Sequence, residues 1–173
     1  MRRLLDGLYR GGAVLAGFSI VLIVVSVVAQ VGGRMMGVLV PGADDVAGYA
    51  LTASSFLALA YTLRTGGHIR LTLLLHVVSP RVRRGLETGC LAVGALLAAW
   101  FTYHVGEMVW DAWRFGDKAQ GVLAVPLWIP QSVMGLGSLV LLVAFVDDLV
   151  AALRGAPLSY EAHAEAAPIS RDA

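Results

Sequence analysis

Charged side chains leave four long gaps in this chain. Residues 11–33, 46–63, 88–106 and 119–146 contain no Asp, Glu, Lys or Arg, which makes uncharged runs of 23, 18, 19 and 28 residues. A helix that crosses a hydrocarbon core of about 30 Å needs about 20 mostly apolar residues. Lipid offers backbone N–H and C=O groups no partners, so a spanning segment must satisfy them internally, as a helix does. None of the runs alternates apolar and polar positions in the manner of a membrane β-strand. The pattern predicts an all-α integral membrane protein with four transmembrane helices, over about residues 11–33, 45–65, 85–110 and 126–152. The first run follows Arg2 and Arg3 but is longer than a signal-peptide core, and Val28-Ala29-Gln30 is a poor cleavage site. It reads as a retained helix.

Residues 68–79 read HIRLTLLLHVVS, too short to span. Leu73, Leu74, Leu75, Val77 and Val78 cannot all be solvated comfortably. A short amphipathic helix lying in the inner interface between helices 2 and 3 is the expected form, with His68, Arg70 and the Arg81, Arg83, Arg84 cluster meeting lipid headgroups. A plain connecting loop is the alternative. Residues 156–173 mix Ala, Glu and Pro without periodicity and read as a disordered tail. Residues 1–155 are the membrane domain.

Local signals mark the helix ends. Pro41-Gly42 breaks the chain after helix 1, and Asp44 and Asp45 follow as a capping oxygen and negative charge for helix 2. Glu107, Asp111 and Arg114 share one face, so helix 3 is expected to continue past the bilayer as far as Phe115. Trp110 and Trp113 suit the outer interface, as does Trp128. Pro126 and Pro130 bracket the entry to helix 4, where missing N–H groups cost least.

Small and weakly polar residues form stripes. Gly12, Ala16, Ser19, Ser26 and Gln30 line helix 1, and Gly48, Thr52, Ser55 and Thr62 line helix 2. Gly85 and Gly89 make a GxxxG spacing in helix 3, and Gly135 with Ser138 opens helix 4. Such stripes let membrane helices approach closely. They serve equally well against the chain's own helices or against a second protein.

Composition and charge sharpen this picture. Only 14% of residues are charged and 58% are apolar, against about 25% charged in soluble domains. The net charge of +1 creates no field for nucleic acid. Placement says more. Ten basic residues (Arg2, Arg3, Arg10, Arg64, Arg70, Arg81, Arg83, Arg84, Arg154, Arg171) fall on one side of the four spans, and Arg34, Arg114 and Lys118 on the other. The positive-inside rule then puts both termini in the cytoplasm. The lone Cys90 excludes an internal disulfide and reads as a small buried thiol.

Candidate chemistry is sparse. Intramembrane ionisable residues are the usual pointers to transport or proton relay. Glu87 lies in the first turns of helix 3, His104 and Glu107 near its outer end, and Asp147 and Asp148 near the inner end of helix 4. None is expected at the midplane, and no repeated halves with broken helices are visible. Haem anchors use histidines from facing helices, and His68, His76, His104 and His163 are expected at unlike depths. No phosphate loop, nucleophile elbow or HExxH occurs, so no catalytic, cofactor or metal site is expected. A haem-binding or redox-complex anchor and a self-sufficient small transporter stay as alternatives to an accessory role.

Two segments carry a resemblance. One runs from Asp44-Asp45-Val46-Ala47-Gly48-Tyr49 to Gly67-His68-Ile69-Arg70, and the other is Pro126-Leu127-Trp128-Ile129-Pro130-Gln131 followed by Met134-Gly135. With four spans and this length, residues 5–153 resemble the small membrane subunit of tripartite ATP-independent periplasmic (TRAP) transporters, the DctQ-type family. An acidic residue is common in that family where this chain has Thr72. The resemblance implies a bacterial inner-membrane complex that imports organic acids such as C4-dicarboxylates by symport with sodium. Its partners are a large permease subunit that moves as an elevator and a periplasmic substrate-binding protein. The small subunit is then a fixed scaffold, embedded in membrane lipids, that helps dock the binding protein.

Overall fold

A computed structural model describes residues 2–65 and 80–155 of the chain. The expected interfacial helix at 68–79, with His68 and Arg70, and the tail at 156–173 lie outside the described residues. Among the described residues there are four helices: α1 (Arg2–Met35), α2 (Ala43–Arg64), α3 (Pro80–Phe115) and α4 (Trp128–Leu153). All four are long and apolar enough to cross a membrane. No strand occurs among the described residues, only an isolated antiparallel bridge between Lys118 and Pro126.

Glycine sets two of the ends. Gly37 and Gly116 have φ of +72° and +67°, a left-handed conformation that only glycine adopts cheaply. After α1 the chain turns so that Val38 N–H bonds to Gly33 O at 2.8 Å and Gly37 N–H to Arg34 O at 3.2 Å. After α3, Asp117 N–H bonds to Ala112 O at 3.1 Å. Both turns satisfy carbonyls that a helix end would leave unpaired. The start of α2 departs from expectation. Its N-cap is Gly42, with no side-chain capping bond, and Asp44 and Asp45 sit inside the first turn. Their charge still suits the helix dipole there.

The helices pack as an open row in the order α1, α2, α4, α3. The two central helices run parallel, and the outer two run the opposite way. Small residues fill the seams. Ala16, Ser19 and Ser26 of α1, Ala50, Ser54 and Ala60 of α2, Ala95, Ala98 and Ala112 of α3, and Ser138 and Ala144 of α4 are buried. Three buried serine hydroxyls are satisfied within their own helices: Ser19 Oγ donates to Leu15 O at 2.9 Å, Ser54 Oγ to Leu51 O at 3.0 Å and Ser138 Oγ to Gly135 O at 2.9 Å. Three glycines permit close approach of one helix to another. A Cβ on Gly12 would lie 2.9 Å from Leu57 O, one on Gly137 2.7 Å from the Phe56 carbonyl, and one on Gly94 2.6 Å from the Phe145 ring.

Large apolar side chains point the other way. Val14, Phe18, Val21, Val25 and Val28 of α1 and Leu96, Leu97 and Trp100 of α3 are exposed. At most 28% of the most apolar window of any helix is buried by the chain itself. Such a surface is stable against acyl chains, where close seams of small residues replace the hydrophobic effect as the force between helices.

Candidate functional site

Polar groups concentrate at three places. The first lies at the end of the row where Arg10, Arg64, Arg84 and Arg154 gather, the basic end. Arg64 closes α2 and is 8% exposed, although it is a cation. Its Nη2 donates to Asp147 Oδ2 of α4 at 3.2 Å, and its guanidinium lies 4.6 Å from the centre of the Tyr9 ring of α1. Asp148, the next residue of α4, is 1% exposed. One cation therefore ties three helices together by an ion pair and a cation–π contact. Tyr9, Ala60, Leu63 and Ala144 form an apolar cluster beside it.

The second place is at the opposite, loop end. The connection from α3 to α4 folds back on itself, with Ala119 N–H bonding to Val125 O at 2.9 Å and Leu127 N–H to Asp117 O at 2.9 Å. Its tip docks on the start of α2, where the Asp45 carboxylate accepts the Leu123 N–H at 2.8 Å. Gly121 lies against that carboxylate, leaving no room for a side chain.

The third is on the face of α3 turned away from α4. Tyr103 OH donates to Glu107 Oε1 at 2.9 Å, and His104 Nδ1 lies 3.0 Å from Glu107 Oε2. The His104 ring makes edge contacts with Trp100 and Tyr103 at centroid distances of 4.8 and 5.2 Å. His104 and Glu107 side chains are 50% and 51% exposed, so the cluster opens outward.

The sequence-selected residues are spread over these ends. Arg81 and Arg83 lie in the first turn of α3, and Arg84 is exposed. Trp110 and Trp113 are exposed with ring centres 5.3 Å apart. Pro126 bridges to Lys118, and its carbonyl accepts the Ile129 N–H at 3.1 Å as α4 begins. Trp128 starts α4 and Pro130 stands in its first turn. Gly135 meets α3 only loosely, because a Cβ there would lie 3.5 Å from Val105 Cγ1. No group of three or more His, Cys, Asp or Glu residues is placed to hold a metal among the described residues.

One sequence expectation needs correction, and the open question of what the small-residue stripes face is answered in part. Cys90 is exposed, not buried. Gly48 and Ser55 face away from the neighbouring helices of the row, whereas Ala50 and Ser54 face into it. A Cβ on Gly85 or Gly89 would meet nothing within 4 Å, so that GxxxG spacing packs against none of the described helices. His104 and Glu107 stand two to three turns before the end of α3 at Phe115, and α3 runs past the start of α4. Gly94 packs on Phe145 and Val105 on Gly135. At 1.5 Å per residue this register puts Glu107 roughly 7 Å inside the level of Trp128.

Two features escaped the sequence reading. The Arg64–Asp147 pair had a usable signal, since each is the first charge beyond an apolar run that ends on the same side. Gly137 had none, because nothing local separates it from Gly135. Among known families, the model described as tripartite ATP-independent periplasmic transporters, DctQ component, matches residues 23–155. No curated protein matches the chain.

Proposed function

This chain belongs to the DctQ component family of the tripartite ATP-independent periplasmic transporters, and on that premise we propose that it is the fixed scaffold beside the large elevator-type subunit. It is a multi-pass membrane protein and a transporter component, from a family that is not one of enzymes. The proposal adds the rest: a bacterial inner-membrane complex for organic acids such as C4-dicarboxylates, driven by symport, with the substrate and ion sites on the large subunit.

The observation that carries the reading is the use made of the buried cation. Arg64 is engaged at one end of the row by Asp147 and Tyr9, not held open at mid-depth for a charged cargo. Broken helices or convergent charges between repeats would be expected of a chain that carried ions itself. Here every described span is a continuous helix. Seams of Ala, Ser and Gly joined by an ion pair make a stiff slab, and a moving elevator needs a stationary neighbour.

The basic end is proposed to face the cytoplasm, with both termini there. Residues 68–79 would brace the slab in the inner leaflet, through His68, Arg70 and the Arg81–Arg84 cluster. The loop end, including the segment docked on Asp45, would face the periplasm and the substrate-binding protein. Proteoliposomes test the assignment. Labelled dicarboxylate should enter only when this chain, the large subunit and the binding protein are all present. Uptake by this chain alone would refute the scaffold role.

A further inference from the structure

We propose that the outward face of α3 around Trp100, Tyr103, His104 and Glu107 is the surface on which a membrane-spanning segment of the large subunit docks, bringing a hydrogen-bond donor to the Glu107 carboxylate. The inference rests on the scaffold reading above and adds which edge of the slab is joined, and by what chemistry.

The row has two free edges, and they differ. The outer face of α1 is a continuous apolar surface of Val14, Phe18, Val21, Val25 and Val28, suited to acyl chains. The outer face of α3 is broken by a carboxylate, an imidazole and a phenol within five residues. Depth decides whether water can serve them. The register of α3 on α4 brings Trp110 and Trp113 level with Trp128, a band of rings that fits one membrane–water interface. Counting 1.5 Å per residue inward from that band, Glu107 lies roughly 7 Å below it and Tyr103 and His104 roughly 12 to 14 Å below.

Ionisable groups at that depth face a bundle interior or a water-filled cavity, because lipid cannot solvate them. This cluster does neither within the described chain: His104 and Glu107 remain half exposed. Glu107 already accepts from Tyr103 and lies beside His104, yet a carboxylate offers about four acceptor positions. The missing neighbour must therefore be apolar enough to cross the bilayer and must carry a donor at this level, namely a basic side chain, an amide or a hydroxyl. Trp100 flanks the cluster with an exposed ring that supplies apolar contact.

The test uses the intact transporter in membranes. A benzophenone amino acid placed at Trp100 should cross-link to the large subunit on illumination, and one placed at Phe18 of α1 should not. Glu107→Leu should weaken retention of the large subunit on a tagged chain about three- to twentyfold, the span that an interhelical hydrogen bond commands in membranes. Adducts from Phe18 but not Trp100, adducts to a second copy of this chain or to lipid alone, or undiminished retention by Glu107→Leu would each overturn the inference. The scaffold reading survives those results, provided the unaltered chain still retains the large subunit. If the unaltered chain retains none, both fall.

Discussion

Replacing Gly137 with alanine adds one methyl group where α4 lies on the backbone of α2. The new Cβ would fall 2.7 Å from the Phe56 carbonyl carbon and 2.8 Å from its Cβ. Non-bonded carbons prefer about 3.5–4.0 Å, so the helices must part locally by roughly 0.8 Å. No flexible side-chain tip is available to move instead. Overpacking of this kind costs about 1–3 kcal/mol, and a rigid backbone contact belongs in the upper half of that range. Alanine returns about 1 kcal/mol through its better helix propensity. The net expectation is a loss of about 1–2 kcal/mol. Gly135→Ala is the internal control, since its Cβ would meet Val105 Cγ1 at an ordinary 3.5 Å. It keeps the propensity gain and should be neutral or up to about 1 kcal/mol more stable. Thermal unfolding in detergent, followed by tryptophan fluorescence, should separate the two variants by several degrees, at about 2–4 °C per kcal/mol. Equal melting of the two, or a higher Tm for Gly137→Ala, would refute the close seam between α2 and α4.

Three further outcomes follow from the other contacts. Arg64→Met should destabilise the chain by about 1–3 kcal/mol, below the full cost of breaking a buried pair because Asp147 is 35% exposed. Adding Asp147→Leu should recover part of that loss in the same melt, and a double variant no better than the single one would count against the pair. Asp45→Ala removes the acceptor of the Leu123 N–H and should speed amide exchange across residues 119–125 roughly fivefold, the equivalent of about 1 kcal/mol; unchanged exchange would mean the loop is held by something else. Changing Arg81, Arg83 and Arg84 together to Glu removes three of the ten basic residues assigned to the cytoplasmic side and should disturb orientation. A cysteine-accessibility map identical to that of the unaltered chain would contradict the proposed topology.

The fold class was legible because hydrocarbon imposes a simple demand: long runs without charge, each closed into a helix. The stripe of Gly12, Ala16, Ser19 and Ser26 was legible too, since α1 has a single neighbour and turns its small residues toward it. Order in the row was not, because a membrane helix carries no address for its neighbour beyond small residues, which α2 and α3 display on more than one face. Gly48, Gly85 and Gly89 looked as suitable as Gly94 and Gly137, and only the last two touch another helix. Asp45 read as a helix cap by position, yet its partner lies 78 residues away in the loop from α3 to α4. The level of His104 and Glu107 relative to α4 depended on how far α3 slides past it, a register that Gly94 and Phe145 fix by shape. Local sequence carries no trace of such an offset.

The four described helices, laid side by side, enclose no lumen among themselves. A chemical inhibitor aimed at this subunit would find no channel to plug, and would have to act as a wedge driven between proteins. Damaging substitutions should accordingly trace lines along the seams and one edge, and should not cluster around a point.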